Sequence, residues 1–439
     1  MTGSKKNKIF IAVMAVCINV AAFAQSSQIT IDQAIEIAIK NNYDIVVAKN
    51  NAEEAANNNT LGNAGMLPVV SLSATGVSAS NNTKQEFSTG TSIDKKGVES
   101  KNITTGAYLT WTIFDGLKMF ATHERLKELE GMGMLSTKVQ IENTLVQVLS
   151  AYYDIVMQKQ MINGLKASMA VSEERLKIAQ KKFDIGTASK VDLLQAKIDL
   201  NAQKSALMKE NTLLSDSKET LNQLLVQPVD QDFDVLDTIP LMNDYKYEDL
   251  KNLILDKNSD LLFAQKNINV SKYMIKEAKA AYYPKLNLNA NYIFSRAENQ
   301  AGLTLLNQNL GLNLGFTASW TIFNGFNNVN YVKNLKLNLE NSTLEYDNLK
   351  TQTQLGLVKS FKKYQDDIAI VQLEDENNKL AKENLDIALA RYRVGESNSI
   401  ELKTAQQSFE DSINRLSDAR YNAKISETQL LKLSGGIVK

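Results

Sequence analysis

The residues that could do covalent chemistry are few and scattered. His123 is the single histidine of 439 residues and Cys17 the single cysteine. Zinc needs three or four clustered nitrogen and sulfur ligands, and this chain has no such cluster to offer. No G-x-x-x-x-G-K-[ST] loop presents backbone amides to a phosphate. No G-x-S-x-G elbow exposes a nucleophilic serine. The 49 acidic residues are balanced by 49 lysines and arginines, and they lie along helical stretches, where a solvated face is their ordinary use. A net charge of zero gives no sign of a nucleic-acid partner, which would need a basic face. The residues therefore imply no catalysis, no cofactor and no metal site. Any energy for work has to come from partners.

The elements around those residues are more informative. Residues 1–24 read as a secretion signal. Lys5, Lys6 and Lys8 precede an apolar run from Ile9 to Val20, and Ala22-Phe23-Ala24 forms an A-x-A cleavage site before Gln25. Three of the 49 basic residues lie in this leader, which leaves 46 against 49 acids in the exported chain. Cys17 also lies in the leader, behind the bulky Val16 where a lipidation site takes a small residue. Without cysteine, the exported part relies on packing and assembly rather than disulfides. No other stretch supplies the roughly 18 consecutive apolar residues of a membrane helix.

An internal duplication organises the rest. Trp111-Thr112-Ile113-Phe114-Asp115-Gly116 recurs 209 residues later as Trp320-Thr321-Ile322-Phe323-Asn324-Gly325. At the same offset, Phe183-Asp184-Ile185-Gly186 matches Tyr392-Arg393-Val394-Gly395. Upstream the offset is 216, where Asn42 matches Asn258 and Pro68 matches Pro284. This predicts a first repeat over 25–228, a linker over 229–245 near Pro228 and Pro240, and a second repeat over 246–436. Each repeat reads helix, strand, loop, strand, long helix, turn, helix.

Strands are expected at 69–80, 104–114, 285–295 and 310–323, with polar loops at 81–103 and 296–309. Leu310, Leu312, Leu314, Phe316, Ala318, Trp320 and Ile322 share one face, against Gly, Asn, Ser and Thr on the other. Apolar on one side and small polar on the other suits a barrel with lipid outside and water inside. It also suits a half-buried sheet of a soluble domain. The helices carry a seven-residue period: Leu193, Leu200, Leu207, Leu214 and Leu221, then Leu402, Phe409, Leu416, Ala423 and Leu430. A helix from Gly116 to Ile185 would extend about 105 Å at 1.5 Å per residue. Four strands cannot close a membrane barrel, since the smallest have about eight, and open edges are not tolerated in lipid. Strands in a membrane therefore require several copies, and three would supply twelve strands.

Together, the signal, the duplicated strand pairs, the long hairpins and the repeated F/Y-x-x-G turn resemble the TolC family of outer-membrane efflux proteins across nearly the whole exported chain. The resemblance implies an α+β membrane protein: a homotrimeric twelve-stranded β-barrel, four strands per chain, continuous with a long antiparallel helical coiled-coil barrel. It implies a passive exit duct in the outer membrane of a Gram-negative bacterium. A periplasmic adaptor (a membrane fusion protein) and an inner-membrane pump would be its partners, and lipid its surroundings. The turns at Gly186 and Gly395 would sit at the closed periplasmic tip. Asp192 and Glu401, six positions after those glycines, would form carboxylate rings at the gate, with Tyr392 as gate tyrosine and Phe183 its counterpart. Two positions depart from the family: the basic lock position is Ser397, and a second acidic position is Thr404. Asp192 and Glu401 also fall in first helical turns, where an acid offsets the helix dipole. The competing reading is a periplasmic coiled-coil adaptor or structural protein, which would not carry two strand pairs ending in Trp and Phe.

Overall fold

The computed structural model describes residues 28–242, 245–301 and 304–437; the leader and Cys17 lie outside them. The elements in chain order are β1 (Gln28–Ile29), α1 (Ile31–Asn41), α2 (Tyr43–Asn58), β2 (Val69–Glu86), β3 (Ser92–Phe114), α3 (Lys118–Asp184) and α4 (Lys190–Leu225). Then follow β4 (Asp234–Val235), α5 (Tyr247–Lys257), α6 (Ser259–Lys279), β5 (Lys285–Asn299), β6 (Leu306–Ser319), α7 (Asn327–Val394) and α8 (Ser399–Leu433). They group into two compact units.

The first unit holds residues up to 48 together with Thr137–Ser259 and Lys350–Lys439, so it contains the turns of both helical hairpins and the helical stretches next to them. Its core gathers Ala34 and Ala38 of α1, Tyr152, Ile155 and Val156 of α3, Leu221 and Leu225 of α4, and Phe233 and Val235. Fully burying side chains of this size stabilises by about 1.5–3 kcal/mol each. The segment between the repeats is tied down here. β4 pairs in parallel with β1, and Lys159 donates through Nζ to Asp234 Oδ1 at 2.6 Å and to the Val235 carbonyl at 2.8 Å.

The helix expected at the head of each repeat is broken in two. Asn42 ends α1, and its Oδ1 accepts from the amides of Asp44 and Ile45, starting α2. Its Nδ2 donates to the Leu224 carbonyl at 3.0 Å. Asn258, between α5 and α6, donates in the same way to the Leu433 carbonyl at 3.0 Å. An asparagine that can cap a helix and satisfy a helix-end carbonyl at once makes the break favourable.

The second unit, Lys49–Ser136 with Asp260–Leu349, carries the sheet. Its order is β2-β3-β5-β6, antiparallel throughout. The strands run further outward than the sequence alternation indicated: β2 and β3 leave only residues 87–91 between them, and β5 and β6 leave 300–305. Their outer ends are mostly polar, with apolar residues such as Ile93, Val98 and Ile103 spaced five apart, which breaks the period-two signal while the ladder continues. At the other end the expected strand 310–323 stops at Ser319. Ser319 pairs with Lys285, and the residue before Lys285 is Pro284, which has no N–H to continue the ladder. Trp320 leaves the sheet and donates its indole Nε1 to the Tyr282 carbonyl at 3.1 Å. Trp111 donates likewise to Met66 at 2.9 Å.

The strand-to-helix joints also recur. Asp115 accepts from the Met119 amide and Asn324 from the Asn328 amide, while Gly116 and Gly325 adopt φ of +73° and +67°. They differ in one respect. A Cβ on Gly116 would sit 2.4 Å from the Ala280 carbonyl oxygen, whereas a Cβ on Gly325 would meet nothing.

Candidate functional site

The two hairpin turns are built alike. α3 ends when Gly186 takes φ +78°; its amide donates to the Phe183 carbonyl at 2.9 Å and the Thr187 amide to Lys182 at 2.8 Å. α7 ends when Gly395 takes φ +84°; its amide donates to Tyr392 at 3.3 Å and the Glu396 amide to Arg391 at 3.0 Å. This pair of bonds closes the helix end around a left-handed residue, where glycine avoids the side-chain penalty. A Cβ at either position would touch nothing, so the backbone angle alone asks for glycine.

Each following helix starts on a side-chain cap, and here the expected gate acids part company. Asp192 completes a capping box. Its amide donates to Ser189 Oγ at 3.2 Å, while Ser189 donates to Asp192 Oδ2 through its amide at 3.2 Å and its hydroxyl at 2.8 Å. Among the described residues Asp192 has no ion-pair partner. At the second turn Asn398 caps alone, accepting from Ile400 and Glu401 amides at 3.0 and 2.9 Å. Glu401 is thereby left free to pair with Arg391, whose Nη1 meets its Oε1. Arg391 Nη2 also donates to the Glu396 carbonyl at 3.3 Å. The basic partner comes not from the family's lock position, which is Ser397, but from Arg391 on the other side of the turn. The available signal was the duplication, which places a cation, Lys182 or Arg391, at the same point before each glycine.

Tyr392 is buried with Leu385, Ala388, Leu402, Ala405 and Phe409, and Val171 and Ile178 of α3 pack against that cluster. Lys182 Nζ lies 4.6 Å from its ring centroid, a cation–π contact between the two hairpins. Burial pushes the Tyr392 hydroxyl up; nearby Arg175 opposes this and Asp192 adds to it. Phe183, its counterpart, is exposed.

A second charged group lies deeper. Arg175 of α3 is 1% exposed and ion-pairs through Nη2 with Asp199 of α4. Lys403 of α8 donates to Asp199 at 2.9 Å, as does Gln195. Burial works against the Asp199 charge, but the hydrogen bonds from Lys403 and Gln195 and the charges of Arg175 and Lys403 outweigh it. Its carboxyl is held below the usual range. Sequence periodicity gave no sign of Arg175, because an arginine on a long helix reads as solvated. His123, half-buried, joins no cluster, and no group of three metal-ligating side chains occurs among the described residues.

This arrangement positions charge and closes turns; it presents no reactive centre. The outer membrane efflux protein family model matches the chain twice, at residues 34–226 and 250–436. The chain belongs to the outer membrane efflux protein family, whose members are channels, and it is an outer-membrane exit duct with a large periplasmic part. It is 20% identical over 293 residues to the alkaline protease secretion protein AprF of Pseudomonas aeruginosa, an alignment covering 64% of this chain and 59% of AprF. It is 23% identical over 435 residues to the probable efflux pump outer membrane protein TtgC of Pseudomonas putida, covering 92% and 83%. Its fold resembles the crystal structure of the Campylobacter jejuni CmeC outer membrane channel, with a TM-score of 0.77, 19% identity and coverage of 93% and 86%.

Proposed function

We propose that three copies of this chain close one twelve-stranded barrel and act as a passive duct, gated at the hairpin turns and without enzymatic activity. The observation that carries this is the sheet. Among the described residues β2 and β6 are its two edges, and each strand runs opposite to its neighbour. β6 of one copy therefore runs antiparallel to β2 of the next, and three repeats of the set keep the alternation around a ring of even strand number. An edge left open in lipid would leave backbone groups unpaired at several kcal/mol each. The apolar face supports the same reading: Leu310, Leu312, Leu314 and Phe316 are 62–77% exposed in the single chain, as a lipid-facing strand requires.

The double family match and the twinned Asn42/Asn258 and Trp111/Trp320 bonds support two tandem repeats, 25–228 and 246–436, joined by the linker 229–245 after a cleaved leader at 1–24. Asp192 and Glu401 are the charged groups at the narrow end, Tyr392 anchors it, and Gly186 and Gly395 allow its turns. A periplasmic adaptor and an inner-membrane pump open it and supply the energy. By likeness to AprF, named for alkaline protease secretion, and TtgC, named for an efflux pump, the cargo is a secreted protein or an effluxed compound.

The experiment is insertion. Leu314→Lys or Phe316→Lys puts a charge on the lipid face, which costs about 2–4 kcal/mol at mid-bilayer. Both variants are expected to fail to reach the membrane fraction as oligomers, while wild type conducts ions in a planar bilayer. Normal assembly of both would refute the barrel.

A further inference from the structure

We propose that Arg391 determines the charge selectivity of the duct: it cancels Glu401 across the second turn and leaves Asp192 as the carboxylate ring that favours cations. This rests on the reading of the turns as the narrow end of the pore.

Three contacts fix Arg391. Its guanidinium pairs with Glu401, donates to the Glu396 carbonyl at 3.3 Å, and its own carbonyl accepts the Glu396 amide at 3.0 Å. The cation is thus tied to the turn rather than swinging on a free side chain. The pair remains open to water, with side chains 47% and 41% exposed, so a passing ion meets the two charges together. The neighbouring cation Arg393 is turned elsewhere, 3.6 Å from Glu174 of α3.

The first turn lacks this compensation. Lys182 holds the place of Arg391 but spends its charge over the Tyr392 ring. Asp192 is held by Ser189, which brings donors but no charge. A ring of identical charges in a pore attracts ions of the opposite sign and repels those of its own. In a trimer the Asp192 ring keeps its full charge, while the Glu401 ring is matched by three guanidinium groups. Glu401 therefore restrains Arg391 as much as it attracts cations.

The test is the reversal potential of purified protein in a planar bilayer under a KCl gradient. R391Q is expected to raise the K⁺/Cl⁻ permeability ratio roughly twofold or more, E401Q to lower it comparably toward anions, and R391Q/E401Q to return close to the wild-type ratio. An unchanged ratio in R391Q, or a fall in both single variants, overturns the proposal. Should R391Q fail to assemble, R391E/E401R keeps the pair with its charges exchanged; a ratio far from wild type would overturn it equally. Failure of the underlying reading looks different: wild type then conducts nothing, or D192N leaves the ratio unmoved.

Discussion

The two hairpins share turn motifs yet keep their charges in different places. In the first, the ion pair is deep: Arg175 is 1% exposed, its Nε and Nη1 have no hydrogen-bond partner, and Asp199 carries the contact. In the second, the pair Arg391–Glu401 sits at the turn itself, half in water. The second hairpin holds Asn384 and Ser408 where the first holds Arg175 and Asp199. A buried pair commits a helix to one partner, because breaking it strands a charge away from water. An exposed pair commits it to little, since solvent replaces either partner at small cost. One hairpin thus carries a buried ion pair and the other an exposed pair at its turn.

The difference is broken most severely at Asp199. Asp199→Asn removes the one partner of a buried guanidinium and is expected to cost about 3–5 kcal/mol, read as lost hydrogen-exchange protection along both sides of the first hairpin. An apolar double replacement, R175M/D199L, should recover most of it; if the double variant is as weak as the single, the buried pair is not the cause. The pH dependence has a definite sign. The Asp199 carboxyl is lowered in the folded protein, so its contribution is complete above the unfolded range near about 4 and is lost as pH falls through the folded value. D199N should abolish that acid-side loss, and E401Q should leave it in place.

A smaller effect tests where the hairpins are alike. Gly186→Ala and Gly395→Ala each place a side chain at positive φ with no steric neighbour, and each should cost about 1–2 kcal/mol. Equal losses are expected in thermal unfolding of the two variants. A loss several times larger at one turn would mean that it has a neighbour in the assembly. Below that come the caps: Ser189→Ala and Asn398→Ala should each cost about 1 kcal/mol, measured as fraying of α4 and α8 respectively. The smallest change is in stability on breaking the exposed pair. Glu401→Gln should cost under about 1 kcal/mol in thermal unfolding. A loss as large as that of D199N would erase the contrast.

What could be read from the sequence follows what period and punctuation encode. Leu310 to Phe316 announced a two-sided strand because side chains alternate in an extended chain whatever their surroundings. Gly186 and Gly395 announced turns because few other residues tolerate that backbone. Residues 81–86 and 92–103 did not read as strand, since they are mostly polar and the apolar Ile93, Val98 and Ile103 fall five apart rather than two. Asn42 was visible as a repeated residue, but its role depends on the Leu224 carbonyl, 182 positions away. Arg391 and Glu401 are ten residues apart, and only the closed turn makes them neighbours. Arg175 looked like a surface charge because sequence records a residue's type and not whether another helix covers it.

The joint at Gly116 has a consequence for which substitutions each half of the chain tolerates. There the second half of the chain presses its backbone against the first so closely that no side chain fits, while the twin position, Gly325, faces empty space within the chain. One glycine is therefore barred from a side chain by its neighbour as well as by its backbone angle, and its twin by the angle alone. A bulky substitution at Gly116 would meet both costs; the same substitution at Gly325 would meet only the strain of its positive φ, about 1–2 kcal/mol.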